Sequence, residues 1–296
     1  MSRVSRRWVA FAIVFLGLIL LNYPLLSSFI NDAFSVHGQA VYQEEVASLS
    51  DEERLAKLDA MRSYNDCLAV GGEVPKSELL SEIVSPGYLL GYLDVPSINV
   101  YMAVRYGTTA DVLEKDLGLL EGSSLPVGGT SSHACISGHT GMASRKMLTD
   151  LTAVEKGDMF FFHVLGEDLA YQVDQIEVVL PSEDESLAIV PGEDYMTLIT
   201  CTPYGVNSHR LLVRGTRVDY DFSDGDGSNS LPITRRLSTV EMVRYGIGIV
   251  SVVIVIVMLV LTIRGTIQDK RRRENKLQNA KMKAKAKLRR KGESSH

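Results

Sequence analysis

Residues 197–218 read TLITCTPYGVNSHRLLVRGTRV. Thr197 to Cys201 and Arg210 to Val218 are apolar runs, and the segment 203–208 between them contains Pro, Gly, Asn and Ser. Two strand-forming runs that flank such a turn predict adjacent strands joined as a hairpin. The hairpin would bring Arg210 close to Cys201, whose side chain a strand end would present on rigid backbone at a rim.

Segments before residue 197 also show strand-forming patterns. Residues 98–105 alternate between apolar and other side chains, residues 133–137 form a short apolar run, and the segments 160–165 and 169–180 flank the turn Gly166-Glu167-Asp168. Each pattern predicts a strand, and the last two predict a second hairpin. Many short strands with few helices indicate a mainly β fold, a closed or half-closed barrel.

Helices are expected mainly before the strands. Residues 36–70 are predicted to be helical, with Ser50 and Glu53 at the spacing of a capping box and Gly71-Gly72 ending the helix. The other predictions outside the strands are loops at 71–87 and 117–129 and a short helix at 142–151.

The net charge of -5 over 296 residues results from a cancellation. Residues 1–8 carry +3, residues 264–296 carry +10, and the middle of the chain therefore carries -18. An acidic middle argues against a nucleic-acid partner, because it offers no excess of cations to neutralise phosphates.

Two uncharged apolar runs, Trp8 to Leu21 and Gly246 to Ile263, predict membrane spans. The second is long enough for a spanning helix of ~20 residues. A buried strand pair is its alternative, although no turn residue interrupts the run. The first is either a cleaved signal peptide or a retained anchor, and the lack of a small-x-small cleavage site after Leu21 favours the anchor.

Basic residues beside both runs predict the orientation. Arg3, Arg6 and Arg7 precede the first run and the basic tail 264–296 follows the second, so both termini are expected in the cytoplasm. Residues 25–244 would then lie outside the cell. The tail is either a solvated stop-transfer segment or a contact for anionic membrane lipid.

An exported segment with three cysteines, Cys67, Cys135 and Cys201, leaves at least one thiol unpaired. A Cys67–Cys135 disulfide is one alternative that the sequence leaves open. Cys135 lies among small and apolar residues, which favours a buried filler.

Cys201 is a candidate nucleophile, since a thiol is strongly nucleophilic even at neutral pH and nearby positive charge raises its thiolate fraction. Arg210 cannot act as a base, but it can hold a carbonyl or stabilise an oxyanion. His139 is flanked by small residues and can supply a leaving-group proton. From the residues alone, a buried cysteine and a solvated or salt-bridged arginine stay open as alternatives, and His133 or His209 fits the histidine's role nearly as well.

Four segments of the chain carry a more specific pattern: GYLDVPSI at 91–98, GSSLPVGG at 122–129, SGHTG at 137–141 and TLITCTPYGVNSHRLLVRG at 197–215. Together they resemble the sortases, in particular the pilin-polymerising class C group of Gram-positive bacteria. Tyr23-Pro24, Ser63-Tyr64-Asn65 and the C-terminal span resemble the same group. The similarity covers roughly residues 20–263.

The resemblance implies a mainly β fold, a sortase-type closed β-barrel with flanking helices, plus two transmembrane helices. The implied activity is that of a cysteine transpeptidase, which cuts an LPxTG-type sorting signal between Thr and Gly and joins pilin subunits through Lys isopeptide bonds. These steps need neither a metal nor an organic cofactor. The implied site comprises catalytic Cys201, His139 and Arg210, with Thr140, Thr202 and Pro203 as candidate substrate-binding residues.

Two other functions stay open. One is a housekeeping-type sortase that anchors proteins to peptidoglycan, and the C-terminal span argues for the pilin class instead. The other is a non-catalytic pilus scaffold, against which the combination of Cys, His and Arg argues, because binding alone requires no thiol. The expected partners are pilin subunits with a sorting signal and an acceptor Lys, together with membrane lipid.

Many class C sortases carry an Asp-Pro-aromatic lid before the first strand. Residues 71–87 contain no Asp-Pro pair and no Trp or Phe, so a weakly held or missing lid is expected. The predicted regions are a cytoplasmic start and anchor at 1–30, a helical and lid-like region at 31–87, the catalytic barrel at 88–220, a linker at 221–243, a transmembrane helix at 244–263 and a basic cytoplasmic tail at 264–296.

Overall fold

The computed structural model describes residues 3–23, 42–44, 46–141, 147–222 and 239–293. The chain divides into two compact units, one formed by Met1–Leu25 with Arg244–His296 and the other by Leu26–Val243. The predicted linker at 221–243 lies largely outside the described residues.

The described residues of the larger unit form eight strands that close into a barrel, as the sequence predicts. In chain order the strands are β1 (Leu89–Val95), β2 (Val100–Tyr106), β3 (Leu117–Leu119), β4 (Ser132–Ser137), β5 (Met159–Val164), β6 (Glu167–Val179), β7 (Asp194–Thr202) and β8 (His209–Val218). Around the barrel the order is β1-β2-β3-β4-β7-β8-β6-β5. Both predicted hairpins are confirmed, as the antiparallel neighbours β5–β6 and β7–β8.

Alternate residues of the strands fill the barrel interior. Leu93 of β1, Val104 of β2, Ile136 of β4, Leu198 of β7 and Val213 of β8 are fully buried in one apolar cluster. Because successive side chains of a strand point to opposite faces, the residues on either side of each of these point outwards.

The described helices are α1 (Arg3–Leu21), α2 (Asp51–Ala69), α3 (Glu78–Ile83), α4 (Ala110–Leu113) and α5 (Thr239–Glu293), with 3-10 turns at Pro96–Ile98, Thr149–Ala153 and Glu185–Leu187. The capping box is confirmed at the start of α2. The Ser50 hydroxyl accepts from the backbone N–H of Glu53, and the Glu53 carboxylate accepts from the backbone N–H of Ser50.

The prediction of one helix over 36–70 is wrong at its centre. Helical stretches at 42–44 and 46–48 end before Ser50, whose backbone is extended (φ -65°, ψ 153°) where it caps α2. A capping residue with extended backbone ends any helix before it, so the capping box marks a new start. Residues 36–41 and 45 lie outside the described residues.

Three shorter predictions also need correction. The predicted loop at 71–87 contains α3, which Ser77 caps and whose apolar side is buried in the core. The predicted loop at 117–129 contains β3, which fills the gap between β2 and β4. The predicted helix at 142–151 is replaced, where it is described, by a turn and a 3-10 turn, and residues 142–146 lie outside the described residues. Elements this short form through tertiary packing, which local patterns do not reveal.

The smaller unit contains both apolar runs as helices. Among the described residues, one helix, Tyr245–Asn279 within α5, is long and apolar enough to cross a membrane. The sequence predicts two such helices, and this criterion identifies one of them. Within the unit α1 and α5 run antiparallel, since Arg7 Nη1 donates to Asp269 Oδ2 at 3.0 Å and Asn22 Nδ2 donates to Ser251 Oγ at 2.8 Å.

Gly91 in β1 offers a test of the barrel packing. A Cβ atom there would collide with the backbone carbonyl of His163 on β5 and with the ring of Phe162. We expect Gly91→Ala to lower the free energy of unfolding by about 2–3 kcal/mol, because an overpacked core shifts backbone and rings from their preferred positions. Gly72→Ala is the control, since its Cβ would meet other atoms at 3.4 Å or more. Calorimetry of the full-length protein in detergent measures both variants, and equal unfolding free energies would contradict tight β1–β5 packing.

Candidate active site

Three segments of the chain meet at one edge of the barrel. The antiparallel register of β7 and β8 pairs Cys201 with Arg210, which places directly opposed Cβ atoms about 5 Å apart. The parallel register of β4 and β7 pairs Ser137 with Ile199. Continuing that register by two residues aligns His139 with Cys201. The register thus aligns His139, Cys201 and Arg210 in one row across neighbouring segments, which we call the catalytic row after the roles that the family resemblance implies for these residues.

The catalytic row lies on the outer face of the barrel. Leu198 of β7 and Leu211 of β8 are buried in the barrel interior. Strand alternation therefore directs Cys201 and Arg210 outwards. Both side chains are partly exposed, which a residue that meets a substrate requires.

Hydrogen bonds tie the segment around His139 to β7. Gly138 N donates to Ile199 O at 3.0 Å, which extends the β4–β7 pairing by one residue. Thr200 Oγ1 donates to Gly138 O at 2.7 Å, and the hydroxyls of Thr200 and Thr140 are hydrogen-bonded to each other. The residue before the thiol therefore holds the residues on both sides of His139.

The turn between β7 and β8 supplies a second contact. A Cβ atom at Gly141 would lie 3.2 Å from the ring of Tyr204, so the ring covers this glycine closely. Gly141 also has a φ of 80°, in the left-handed region that glycine adopts most easily. The SGHTG segment thus requires its last glycine for both conformation and space.

Only the Nη1 group of the Arg210 guanidinium forms hydrogen bonds within the described residues. Its Nη1 donates to the carbonyl oxygens of Asn207 and His209, at 3.4 and 3.2 Å. Within the described residues it forms no ion pair with a carboxylate, whereas Arg214 on the same face donates to both carboxylate oxygens of Asp174. Because a guanidinium has five N–H donors, those on Nε and Nη2 of Arg210 are available to a substrate oxygen.

The structure distinguishes the cysteines. All three are free, so the Cys67–Cys135 disulfide does not form. Cys135 is 0% exposed, and burial raises the pKa of its thiol to about 12, which keeps it neutral and unreactive. The prediction of a buried filler at Cys135 is confirmed. Cys67 lies on α2, outside the sheet, whereas Cys201 is partly exposed beside Arg210.

The structure also separates the histidines that the sequence leaves open. His133 is 1% exposed, and both of its ring nitrogens are hydrogen-bonded inside the protein. His209 directly precedes Arg210, so its side chain points to the opposite face of β8. Of these three histidines, His139 is the one that the register aligns with Cys201.

The candidate substrate-binding residues differ in their surroundings. The hydroxyl of Thr140 is bound to Thr200, which gives Thr140 a structural contact. Thr202 is the last residue of β7 and Pro203 begins the following turn through a cis peptide bond. Thr202 and Pro203 therefore follow Cys201 directly at the rim.

An apolar patch lies beside the catalytic row, and the sequence pattern does not reveal it. Ile199 precedes the cysteine by two residues on β7, and Leu212 follows the arginine by two on β8, so both share its face. They form a buried cluster with Cys135, which Leu187 from the β6–β7 loop covers, and we call these four residues the apolar patch. Because both faces of these strands are apolar, alternation gives no signal that separates the patch from the core.

Residues 71–87, where a class C lid is expected to be weakly held or missing, pack against the barrel. Val74 contacts the main apolar core, and the Gly87 carbonyl accepts from Arg105 Nη1 at 2.9 Å. In the part of the chain that the structure describes, residues 71–87 form no hydrogen bond or ion pair with the catalytic row. Nor does that part contain a group of three or more His, Cys, Asp or Glu side chains that could hold a metal ion.

Solved structures share this architecture. The structure of Clostridium perfringens sortase C with its C-terminal cell wall sorting motif is 44% identical to this chain, with a TM-score of 0.59, and the match covers 62% of this chain and 100% of that one. The chain belongs to the sortase family. A sequence model of the family, described as Sortase domain, matches residues 93–218 of this sortase.

Further relatives support the same assignment. The structure of Streptococcus pneumoniae sortase C is 38% identical, with a TM-score of 0.57 and coverage of 62% of this chain and 97% of that one. Sortase D of Bacillus subtilis (strain 168) is 26% identical over 135 residues, which span 45% of this chain and 65% of that protein. This sortase is thus a cysteine transpeptidase with strong structural matches to class C members.

Thiol reactivity tests the contrast between the cysteines. Iodoacetamide at neutral pH should alkylate Cys201 in the folded full-length protein and leave Cys135 unmodified, because burial removes access and raises the pKa of the Cys135 thiol. Peptide mapping by mass spectrometry measures both sites. In urea both cysteines should react, which is the control. Equal alkylation in the folded protein would contradict the burial of Cys135.

Proposed function

We propose that this sortase is a class C enzyme of pilus assembly, which cleaves an LPxTG-type sorting signal between Thr and Gly and joins the Thr carbonyl to a Lys side chain of another pilin subunit. The observation that carries the proposal is the catalytic row beside the apolar patch. The class C assignment draws support from the identity of 38–44% to the sortase C structures. One of those is described with a cell wall sorting motif, and the other for its pilin substrate specificity.

In the first half-reaction Cys201 is the nucleophile. Its thiol proton passes to His139, and the thiolate attacks the Thr carbonyl carbon of the signal. Arg210 donates N–H groups to the oxyanion of the tetrahedral intermediate. His139 then gives its proton to the departing Gly amine, the C–N bond breaks, and a thioester on Cys201 is left.

In the second half-reaction a Lys amine of another pilin attacks the thioester carbonyl. His139 accepts the proton that the amine loses, and the same oxyanion contacts from Arg210 serve this second intermediate. Collapse forms the isopeptide bond and breaks the C–S bond, and the proton returns from His139 to the thiolate of Cys201. Neither half-reaction consumes a cofactor.

The apolar patch suits the Leu and Pro of such a signal. It adjoins the catalytic row along both β7 and β8. Because Ile199 and Leu212 are buried, an extended peptide whose Thr carbonyl meets Cys201 would place its preceding residues against the partly exposed Leu187. Apolar side chains bound there would leave water, which favours binding. This placement assigns the substrate specificity to the patch and the chemistry to the row.

We place this sortase in the cell membrane with two spans, the catalytic barrel outside the cell and both termini in the cytoplasm. The antiparallel contacts between α1 and α5 support two spans that lie side by side in the membrane. The contacts at Arg7 in α1 and at Asn22, directly after its end, are 15 residues apart, which corresponds to about 22 Å of helix. The basic residues at the Arg7 end are of the type retained on the cytoplasmic side.

A two-peptide reaction tests the proposed chemistry. The full-length protein in detergent is incubated with an LPxTG peptide and a Lys-bearing pilin peptide and is then analysed by mass spectrometry. We expect a thioacyl adduct on Cys201, followed by a peptide–peptide isopeptide product. Both should be absent in Cys201→Ala and unchanged in the matched control Cys67→Ala.

Two further peptides make the test specific for the acceptor. An acceptor peptide with acetylated Lys should give no joined product, because its amine is no longer nucleophilic. A peptidoglycan stem peptide as competitor tests the housekeeping function. Faster transfer to the stem peptide, or hydrolysis that outruns transfer at saturating Lys peptide, would contradict the pilin-joining proposal.

The membrane topology is tested by protease protection. In intact cells stripped of their wall, trypsin should remove the barrel and spare the Lys- and Arg-rich tail at 264–296, because the membrane shields it. Permeabilised cells are the control, in which the tail should be digested as well. Digestion of the tail in intact cells, or a mature N-terminus beyond Leu21, would overturn the two-span arrangement.

A further inference from the structure

A cavity of about 220 Å³ lies on the outer face of the barrel, away from the catalytic row. The helical stretches 42–44 and 46–48 contribute one wall. Tyr101 of β2, His163 of β5 and the β5–β6 turn at 166–168 contribute the others. We call this space the tyrosine cavity. A water molecule occupies ~30 Å³ of liquid, so the cavity has room for a ligand of several heavy atoms.

The strand order places the tyrosine cavity across the barrel from the nucleophile. β1 lies between β5 and β2, and it is four strands away from β7 in either direction around the barrel. A peptide bound at Cys201 therefore does not extend into the cavity. The transpeptidation chemistry makes no use of this space, and its side chains define a separate site.

Aromatic rings form the apolar surface of the cavity. The ring centroids of Tyr42 and Tyr92 are 5.2 Å apart, those of Tyr92 and Tyr101 are 5.4 Å apart, and those of Tyr101 and His163 are 5.9 Å apart. Val46 packs against the same tyrosines. An aliphatic chain that enters the cavity would leave water and pack on these rings, which favours its binding.

Hydrogen bonds to the barrel hold Tyr42 in place. Its hydroxyl donates to the Leu90 carbonyl oxygen at 3.3 Å and accepts from the Leu165 N–H at 3.1 Å. The residue is 8% exposed, so water competes little with these bonds. This wall is formed before a ligand binds, which lowers the entropy cost of binding.

Two carboxylates lie near the same tyrosine ring. Asp94 pairs with Tyr101 in the β1–β2 register, and Asp168 lies in the cavity wall with its Oδ1 2.6 Å from His163 Nδ1. Burial first, and then nearby groups that include both carboxylates, raise the pKa of the Tyr101 hydroxyl. Burial also raises the pKa of Asp94 to about 6, and among the described residues only His163 opposes that shift. At neutral pH the protein thus compensates the charge of Asp94 only weakly.

The arginines around the cavity are paired with other groups. Arg62 Nη2 donates to both carboxylate oxygens of Glu167 at 2.8 Å. Arg54 donates to Asp51 at 3.5 Å and to the Leu165 carbonyl oxygen at 3.4 Å. These pairs add no excess of positive charge, so the two other carboxylates give the cavity a negative potential.

We propose that the tyrosine cavity binds the side chain of a lysine from a partner protein, with its aliphatic stem on the tyrosine rings and its ammonium group at the Asp94 and Asp168 carboxylates. The two carboxylates belong to different strands, so they suit the separately directed donors of an ammonium better than the planar fork of an arginine. Such a side chain is an anchor for a protein interface on the side of the barrel remote from Cys201. The inference does not depend on the proposed function.

A small probe tests the proposal without turnover. Nα-acetyl-lysine N-methylamide is titrated into the full-length Cys201→Ala protein in detergent, and binding is followed by saturation-transfer NMR. We expect a Kd of about 1 mM, an ordinary affinity for a ligand of ~14 non-hydrogen atoms. The norleucine analogue has the same aliphatic stem without the ammonium group, and it should bind about tenfold more weakly. Equal affinities of the two probes would overturn the proposal.

Two isosteric substitutions on the same background test the carboxylates. Asp94→Asn and Asp168→Asn should each raise the Kd of the lysine probe about tenfold, because the ammonium loses a charged hydrogen bond. Asp111→Asn is the matched control, since it removes the same charge from an exposed position of α4 and should leave the Kd within about twofold. Asp94→Asn should not lower the Tm, because the amide replaces a carboxylate whose charge burial disfavours. Unchanged Kd values in the cavity variants would overturn the proposal, and should Asp168→Asn not fold, Asp94→Asn alone decides.

Competition identifies where the probe binds. An excess of LPxTG peptide should leave the Kd of the lysine probe unchanged, whereas displacement would locate the probe at the catalytic row and overturn the proposal. N-acetylglucosamine represents a sugar as the alternative ligand, and tighter binding of this sugar than of the lysine probe would overturn the lysine assignment. Probe binding requires no catalysis, so an enzyme that binds the probe but joins no peptides would contradict the proposed function alone.

Discussion

The pairing register of β7 with β4 and β8 decides which face of the barrel Cys201 and Arg210 occupy and aligns His139 with them. A shift of one residue would turn Cys201 into the barrel and expose Thr200 on the outer face. Met196 and Leu198 prevent such a shift, because each is 0% exposed in the core and would have to enter water. The packing of the interior therefore orients the thiol, and the catalytic row depends on residues that never meet a substrate.

Both faces of the sheet at this edge are apolar, and each has a separate use. The inner face stabilises the barrel, while the outer face forms the apolar patch. An apolar outer face needs a cover when no peptide is bound, since exposed apolar area costs about 25 cal/mol per Å². Leu187 of the β6–β7 loop supplies that cover. The same loop thus contributes to stability in the free enzyme and limits the space for a peptide in the proposed complex.

The sequence predicts the parts of the site that local pairing creates. Cys201 and Arg210 are nine residues apart on one hairpin, so strand patterns and a turn suffice to bring them together. His139 reaches Cys201 only through the parallel pairing of β4 with β7, across 62 residues of chain, and spacing cannot reveal such a contact. The family resemblance identifies it, because it carries the outcome of that pairing. The short elements α3 and β3 escape prediction for the related reason that tertiary contacts stabilise them.

Cys135 and Cys201 show how the edge of the loop separates a covered thiol from an accessible one. Both lie on the outer face, on neighbouring parallel strands, and Cys135 pairs with Thr197, four residues before Cys201. Leu187 covers Cys135, which is 0% exposed and has a raised thiol pKa, whereas Cys201 lies at the strand end with partial exposure. A longer cover would shield Cys201, and a shorter one would expose Cys135 and Ile199 to water. The position of Leu187 thus satisfies two opposing requirements.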